Sequence, residues 1–451
     1  MFKSDEENLM LAESIDSVDA INASFYSRFT YPWRPKRFEQ VLDPGFETIM
    51  LNQNLGDWDH QTLSGSFRIW VAGCGTNQGL YTALRYPACK VRGSDVSVKS
   101  LELSAGSAKE MNLTNLEFRR ESINQVNYRE EFDHVICTGV IHHNADPRAT
   151  LEKLAMAMKP SGVMEMMVNN RYHRIVSAAF QKAVRLMSGY AGPDDFELEM
   201  PIARKIIADF PVKNFISAML DAFQYKDWPE SQFADALLQP VDYSYTVESL
   251  QELAETCGLE LLLPTVNLFD KATKTLSWNI EFNDPELRER YDSLPDLERW
   301  QVANLLLHEK SPMVWFYLQR KDSTRPRKTE KQVCEEFLDR VFVKSNAQQR
   351  SFVMGNGGPY RLSQNTLNYP VTPPELPARN VYDLVDGRTP MRDIFARLQF
   401  EPTFHTVNQI RIKLTTSIFP YLIAVQNQRA TSSDDHQQVV LENYEADHFN
   451  L

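Results

Sequence analysis

Between Arg68 and Asp95 the chain reads RIWVAGCGTNQGLYTALRYPACKVRGSD, and its chemistry-bearing residues fall in a telling order. An apolar run, Ile69 to Ala72, enters a glycine turn, Gly73-Cys74-Gly75-Thr76-Asn77-Gln78-Gly79. Helix formers follow from Leu80 to Arg85, and a second short strand, Lys90 to Ser94, ends on Asp95, twenty positions after Gly75. Glycines let a backbone approach a ligand closely, helix N-terminal amides donate hydrogen bonds, and a carboxylate can accept from two ribose hydroxyls. That order describes a nucleotide-holding βαβ unit, suited either to a dinucleotide or to a sulfonium nucleoside.

Further polar residues recur where strands should end. Leu116 to Arg120 reads as a third strand and stops at Glu121-Ser122. Phe132 to Thr138 reads as a fourth and is followed by Gly139, Val140, His142 and His143. An imidazole titrating near neutrality could accept a proton from a hydroxyl or an amine. Adjacent histidines chelate poorly together and no third ligand is evident, so no metal is expected. Arg171 and Tyr172 follow a fifth strand, Val163 to Val168. Tyr26, Tyr31 and Trp33 lie on a segment that Pro32 and Pro35 bar from continuous helix. These five residues are the candidates for a second pocket; the aromatic three serve either as a lid over it or as a clip packing the N-terminus.

The spaced motifs together resemble the class I S-adenosylmethionine-dependent methyltransferases. VAGCGTNQG is similar to their first motif, and FDHVICTGVIHHNADP with LEKLAMAMKPSGVMEMMV is similar to the stretch from strand four to strand five. The resemblance implies a doubly wound, seven-stranded Rossmann-like α/β sheet and S-adenosylmethionine as cofactor. It also implies roles: Gly73, Cys74 and Gly75 under the methionine and ribose, Asp95 with Val96 at the ribose, Glu121 and Ser122 at the adenine, and Thr138, Gly139 and Val140 beside the sulfonium. Two positions depart from the pattern: Val71 replaces the usual acid before the first glycine, and Asn77 replaces the usual third glycine.

The sheet extends through Leu259 to Leu263 and an antiparallel closing strand, Met313 to Gln319. This gives a lid segment over 1–60 and a methyltransferase domain over 61–322, with helical insertions at 171–242 and 269–310 for an acceptor pocket or a homodimer face. KDSTRPRKTEK (321–331) reads as a linker. Residues 332–430 read as a mostly helical, winged-helix-like accessory domain, and 431–451 as a disordered acidic tail. Five scattered cysteines without a CxxC pair, and no export leader or membrane-length apolar run, point to a reducing cytoplasm. With a net charge of −12 and no strong basic cluster, nucleic acid is disfavoured as a partner. The acceptor is expected to be a small metabolite. The alternatives are a peptide or protein side chain recognised by 332–430, or a cofactor-binding scaffold without catalysis, which Val71 and Asn77 motivate.

Overall fold

The computed structural model describes residues 5–189, 195–270, 275–355, 357–363, 366–370 and 372–426. The chain opens with helix α1 (Asp5–Arg28), strand β1 (Arg37–Val41) and helix α2 (Phe46–Asn54). Then come β2 (Arg68–Ala72), α3 (Gln78–Arg85), β3 (Lys90–Asp95), α4 (Val98–Glu110), β4 (Leu116–Arg120), β5 (Phe132–Thr138), α5 (Pro147–Ala157) and β6 (Met158–Asn169). A helical insertion supplies α6 (Arg171–Met187), α7 (Phe196–Ala208), α8 (Phe215–Phe223) and α9 (Glu230–Leu237). The sheet is finished by α10 (Val247–Thr256), β7 (Leu259–Pro264), α11 (Pro285–Ser293), α12 (Asp296–Leu306) and β8 (Met313–Arg320).

The seven strands lie in the order β4-β3-β2-β5-β6-β8-β7, parallel except for β8, which runs antiparallel between β6 and β7. β2 and β5 read as near-continuous apolar runs because both faces of each are covered, as a parallel sheet requires. β2 has β3 on one side and β5 on the other, so the sheet reverses its winding at the end of β2. Ligands of such sheets sit in the crevice at that reversal. Local chemistry sets the helix starts. Ser97 Oγ accepts from Ser100 N at 3.2 Å and opens α4, and Asp146 caps α5 with Pro147 in the first turn. The Lys159-Pro160-Ser161-Gly162 signal does stop a helix, but the next strand already begins at Met158, with a register shift between the pairs Phe132–Met158 and His134–Val163.

Beyond β8, the segment read as a linker to Lys331 ends earlier: Thr329 caps α13 (Glu330–Asp339), so its last two residues are helical. The chain continues with β9 (Phe342–Lys344), β10 (Ala347–Met354), β11 (Tyr360–Leu362), β12 (Leu367–Tyr369), α14 (Ala378–Leu384), α15 (Met391–Arg397) and α16 (Phe404–Thr415). Pro390 itself occupies the cap of α15, while Thr389 is held by Asp386. The helix expected from Asn408 to Leu422 stops at Thr415, and Leu422–Ala424 pairs with β9 instead. β10 pairs antiparallel with β1, so the first and last parts of the chain share one small sheet. The acidic tail 431–451 lies outside the described residues.

This C-terminal region is fastened to the insertion helices by a buried polar cluster. Glu330, 1% exposed, accepts from Asn279 Nδ2 at 2.9 Å, Trp300 Nε1 at 3.0 Å, Arg299 at 3.2 Å and Asn408 Nδ2 at 2.7 Å. Burial alone would raise its carboxyl, but Arg299 and Arg411, with the hydrogen bonds of Asn279 and Trp300, outweigh it and hold the group below the ordinary glutamate value. A depressed acid contributes stability that is present above its unfolded pKa and lost as pH falls through the folded value. Removing Glu330 leaves Arg299 with Asp296 as its acidic partner and strands the donors of Asn279, Trp300 and Asn408, so Glu330→Ala should lower stability by about 3–5 kcal/mol at pH 7. The gap from wild type should narrow as the medium is acidified below the carboxylate range. Equal denaturation midpoints at pH 7 would refute the assignment.

Candidate active site

The glycine turn bends round the end of β2. Gly73 and Gly75 have φ of 69° and 51°, and a Cβ on Gly73 would stand 2.5 Å from a methyl carbon of Val140. Backbone conformation and space therefore both demand glycine at 73. Asp95 hooks the turn in place: one carboxylate oxygen accepts from Gly75 N at 2.8 Å, and the other from Ser97 N at 2.8 Å. Each oxygen keeps a lone pair for a further donor. Burial raises the Asp95 pKa, and the backbone bonds from Ser97, Gly75 and Val96 partly restrain it. At the end of β4 the Glu121 carboxylate accepts from Tyr128 Oη at 2.8 Å.

The N-terminus roofs this floor. Ser122 Oγ donates to Asp19 on α1, and Asn124 Nδ2 lies 3.2 Å from the same carboxylate. Asn22 Nδ2 donates to His143 O at 2.8 Å, and Tyr26 Oη donates to Asp235 at 3.2 Å. Past α1, Thr76 Oγ1 donates to Pro32 O, and Asn77 Nδ2 donates to Trp33 O at 2.9 Å. Asn77 thus exchanges a glycine's freedom for a tether on the aromatic strap. Val71 is 1% exposed in the core between Gly93 and Ile136, so β2 offers a methyl-bearing wall where a carboxylate would stand.

Floor, roof and insertion enclose one cavity of about 1230 Å³. That exceeds the roughly 300–1,000 Å³ of a site for one drug-sized ligand, leaving room for a nucleoside and a second molecule. The predicted Gly73, Cys74, Gly75, Asp95, Val96, Glu121, Ser122, Thr138, Gly139 and Val140 all border it, as do His142, His143, Tyr26, Tyr31 and Tyr172. Trp33 and Arg171 do not. Trp33 is 54% exposed against Tyr31, and Arg171 is an exposed residue whose guanidinium is spent on Ser244 O at 3.1 Å. Arg174, one helical turn along α6, faces the cavity instead. The sequence reading missed Asp19, Asn22, Arg174, Trp228 and Asp235. All but Trp228, which follows a short 3-10 turn, lie on helices, where a polar residue reads as a solvated position until its packing partner is known. No described residue beyond Met313 borders the cavity, so the C-terminal region takes no part in its wall.

Burial, with each other's ring and Arg174 nearby, depresses the His142 pKa well below the usual imidazole value. Burial likewise lowers that of His143 against the pull of Asp242. Both rings are therefore neutral at pH 7. His143 Nδ1 lies 2.7 Å from Val241 O, a carbonyl that can only accept, so Nδ1 carries the proton and Nε2 keeps its lone pair. His142, His143 and Asp242 bring one donor atom each within 4.8 Å of one another. Asp242 is already taken by Asn169 at 2.6 Å and by Arg174, whose cation supplies the charge a metal would.

Comparison with known proteins agrees with this geometry. Residues 71–189 match the family model of a methyltransferase domain. A protein of Synechococcus sp., itself uncharacterised, is 26% identical over 315 residues, 67% of this chain and 72% of its own. The tRNA U34 carboxymethyltransferase of Campylobacter curvus is 23% identical over 48% of this chain and 74% of its own. The solved structure of PKMT2 from Rickettsia typhi in complex with AdoHcy shares the fold, with a TM-score of 0.53 at 14% identity over 84% of this chain and 76% of its own. The chain carries a class I methyltransferase domain and is an S-adenosylmethionine-dependent methyltransferase. Its residues fit that cofactor: the turn at Gly73 has no room for a side chain, and the Asp95 carboxylate faces the cavity.

Asp95→Ala removes the hook on Gly75 together with the carboxylate expected to accept from the ribose. Hydrogen bonds to a charged group contribute about 1.5–3 kcal/mol each, so affinity for S-adenosylhomocysteine should fall by roughly 100-fold or more in calorimetry. Unchanged affinity would displace the ribose site from Asp95. Asn77→Gly loses one neutral hydrogen bond to the strap, and the same titration should show a decline of roughly 5-fold.

Proposed function

We propose that the enzyme transfers the methyl group to a small-molecule acceptor held between the ends of β5 and β6 and helices α6 to α9. The observation that supports this most is the single cavity that runs from the glycine turn into the insertion, with no wall from the C-terminal region. S-adenosylmethionine supplies the methyl group as an electrophilic substituent on a sulfonium. Displacement from sulfur needs little covalent help from a protein; orientation and exclusion of water supply most of the acceleration. The roof of α1 and the strap keeps water out, and Thr138, Gly139 and Val140 line the sulfonium side. His143 Nε2, a neutral lone pair on the cavity wall, accepts the proton that the acceptor releases. A protein side chain reaching past the rim, where Phe215 is 85% exposed, is the second reading.

Incubation with isotopically labelled cofactor and fractionated cell extract separates the two. The expected result is a gain of one methyl unit in a compound of the small-molecule fraction; label confined to the protein fraction would favour the second reading. His143→Ala should lower kcat by about 10²–10⁴-fold while leaving S-adenosylhomocysteine affinity intact. A near-normal kcat would remove its proton-accepting role.

A further inference from the structure

The acceptor end of the cavity carries an uneven set of charges. Arg174 is paired with Asp242, and Lys310 is 3.8 Å from Asp270, so both of these cations are matched. Asp235 on α9 is different. Its side chain borders the cavity, Tyr26 is its hydrogen-bond donor, and among the described residues no cation stands within ion-pair distance. Gln239 Nε2 donates to the Tyr26 hydroxyl at 2.9 Å, which leaves that hydroxyl's own proton directed to Asp235. Burial pushes the Asp235 carboxyl up to about 6, against the hydrogen bond from Tyr26 and the more distant charge of Arg174, which Asp242 already pairs, so it is mostly ionised at pH 7 with one donor to satisfy it.

The cavity that Asp235 borders also has an aromatic wall. The rings of His173, Phe223, Tyr225 and Trp228 form a chain with successive centroids 6.1, 5.6 and 4.5 Å apart, and all four border the cavity. Tyr26 and Tyr31 line it from the roof. Burying an unmatched carboxylate costs several kcal/mol, roughly, unless a cation or further donors join it. Ring faces attract cations as well. An anionic acceptor would be repelled by Asp235, and a neutral alcohol would leave its charge unmatched.

We propose that the acceptor is an amine, bound as its ammonium form by the Asp235 carboxylate within this aromatic wall. The proposal rests on the methyl-transfer reading of the same cavity and narrows its acceptor. Asp235 favours the ammonium on arrival, while the sulfonium charge and the exclusion of water oppose it and favour release of its proton. That proton passes to His143 Nε2. The freed nitrogen lone pair forms the new N–C bond as the methyl carbon leaves sulfur, which keeps the bonding pair. The products are a methylated ammonium, a neutral thioether and a protonated His143, so two positive charges enter and two remain, and Asp235 now faces the methylated cation.

The test uses three probes of one shape, phenethylammonium, 2-phenylethanol and 3-phenylpropanoate, titrated by calorimetry or ligand-observed NMR. The full-length protein is first saturated with S-adenosylhomocysteine. The ammonium should bind at least tenfold more tightly than the alcohol or the carboxylate. Asp235→Asn should abolish that preference and Asp235→Glu should partly restore it, both with unchanged S-adenosylhomocysteine affinity. Undetectable ammonium binding, equal binding of the three probes, or a preference that survives Asp235→Asn overturns the amine assignment and leaves methyl transfer standing. Failure of the wild type to bind S-adenosylhomocysteine would overturn the broader reading itself.

Discussion

The Asp95 carboxylate is tied by one oxygen to Gly75 and by the other to Ser97, and the site is arranged about that double attachment. One bond fixes the glycine turn to the end of β3; the other fixes the start of α4 to the same strand end. A single buried anion therefore sets the spacing between two helix N-termini and the edge of the sheet. Its side chain also borders the cavity. Loss of the carboxylate would release the floor of the site as well as a ligand contact. For that reason binding and local architecture cannot be separated at this residue.

The catalytic sheet was legible in the sequence because its signals are local. β2 and β5 are short apolar runs, and each is followed at once by small or polar residues where the strand must end. The stop at Gly258, with φ of 72°, and the broken helices either side of Pro295 are equally local. Asp95, Glu121 and Thr138 stand at or just after strand ends, and the resemblance to the methyltransferases, with that spacing, points to them; all three border the cavity.

What was not legible depends on partners distant along the chain. Arg37–Val41 is too short to announce its pairing with β10, since the antiparallel register Gln40–Arg350 is decided by residues far away. Asp235 sits on a short helix between the buried Ala234 and Leu237, where a carboxylate suits a surface position equally well. Only contact with Tyr26 turns it into part of a cavity. Arg171 shows the converse. Position after a strand suggested a pocket residue, yet the capped first turn of α6 aims its guanidinium at Ser244, and the inward place falls to Arg174. Asn77 looked like a defect in a glycine motif until its partner, the carbonyl of Trp33, was in view.

The pairing of β1 with β10 also sets an order of events during synthesis. The strap and α1 lead directly into β1, whose partner Arg350 lies 310 residues after Gln40. Every strand of the catalytic sheet has been made by Arg320, before that partner exists. At roughly 5–20 residues per second, β1 waits on the order of 15–60 s for β10. Throughout that interval the strap is held by Thr76 and Asn77 and β1 rests on α3 through Phe38 and Tyr81, with its partner strand still to come. Strand β10, which borders none of the cavity, thus completes the base of the roof only late in synthesis.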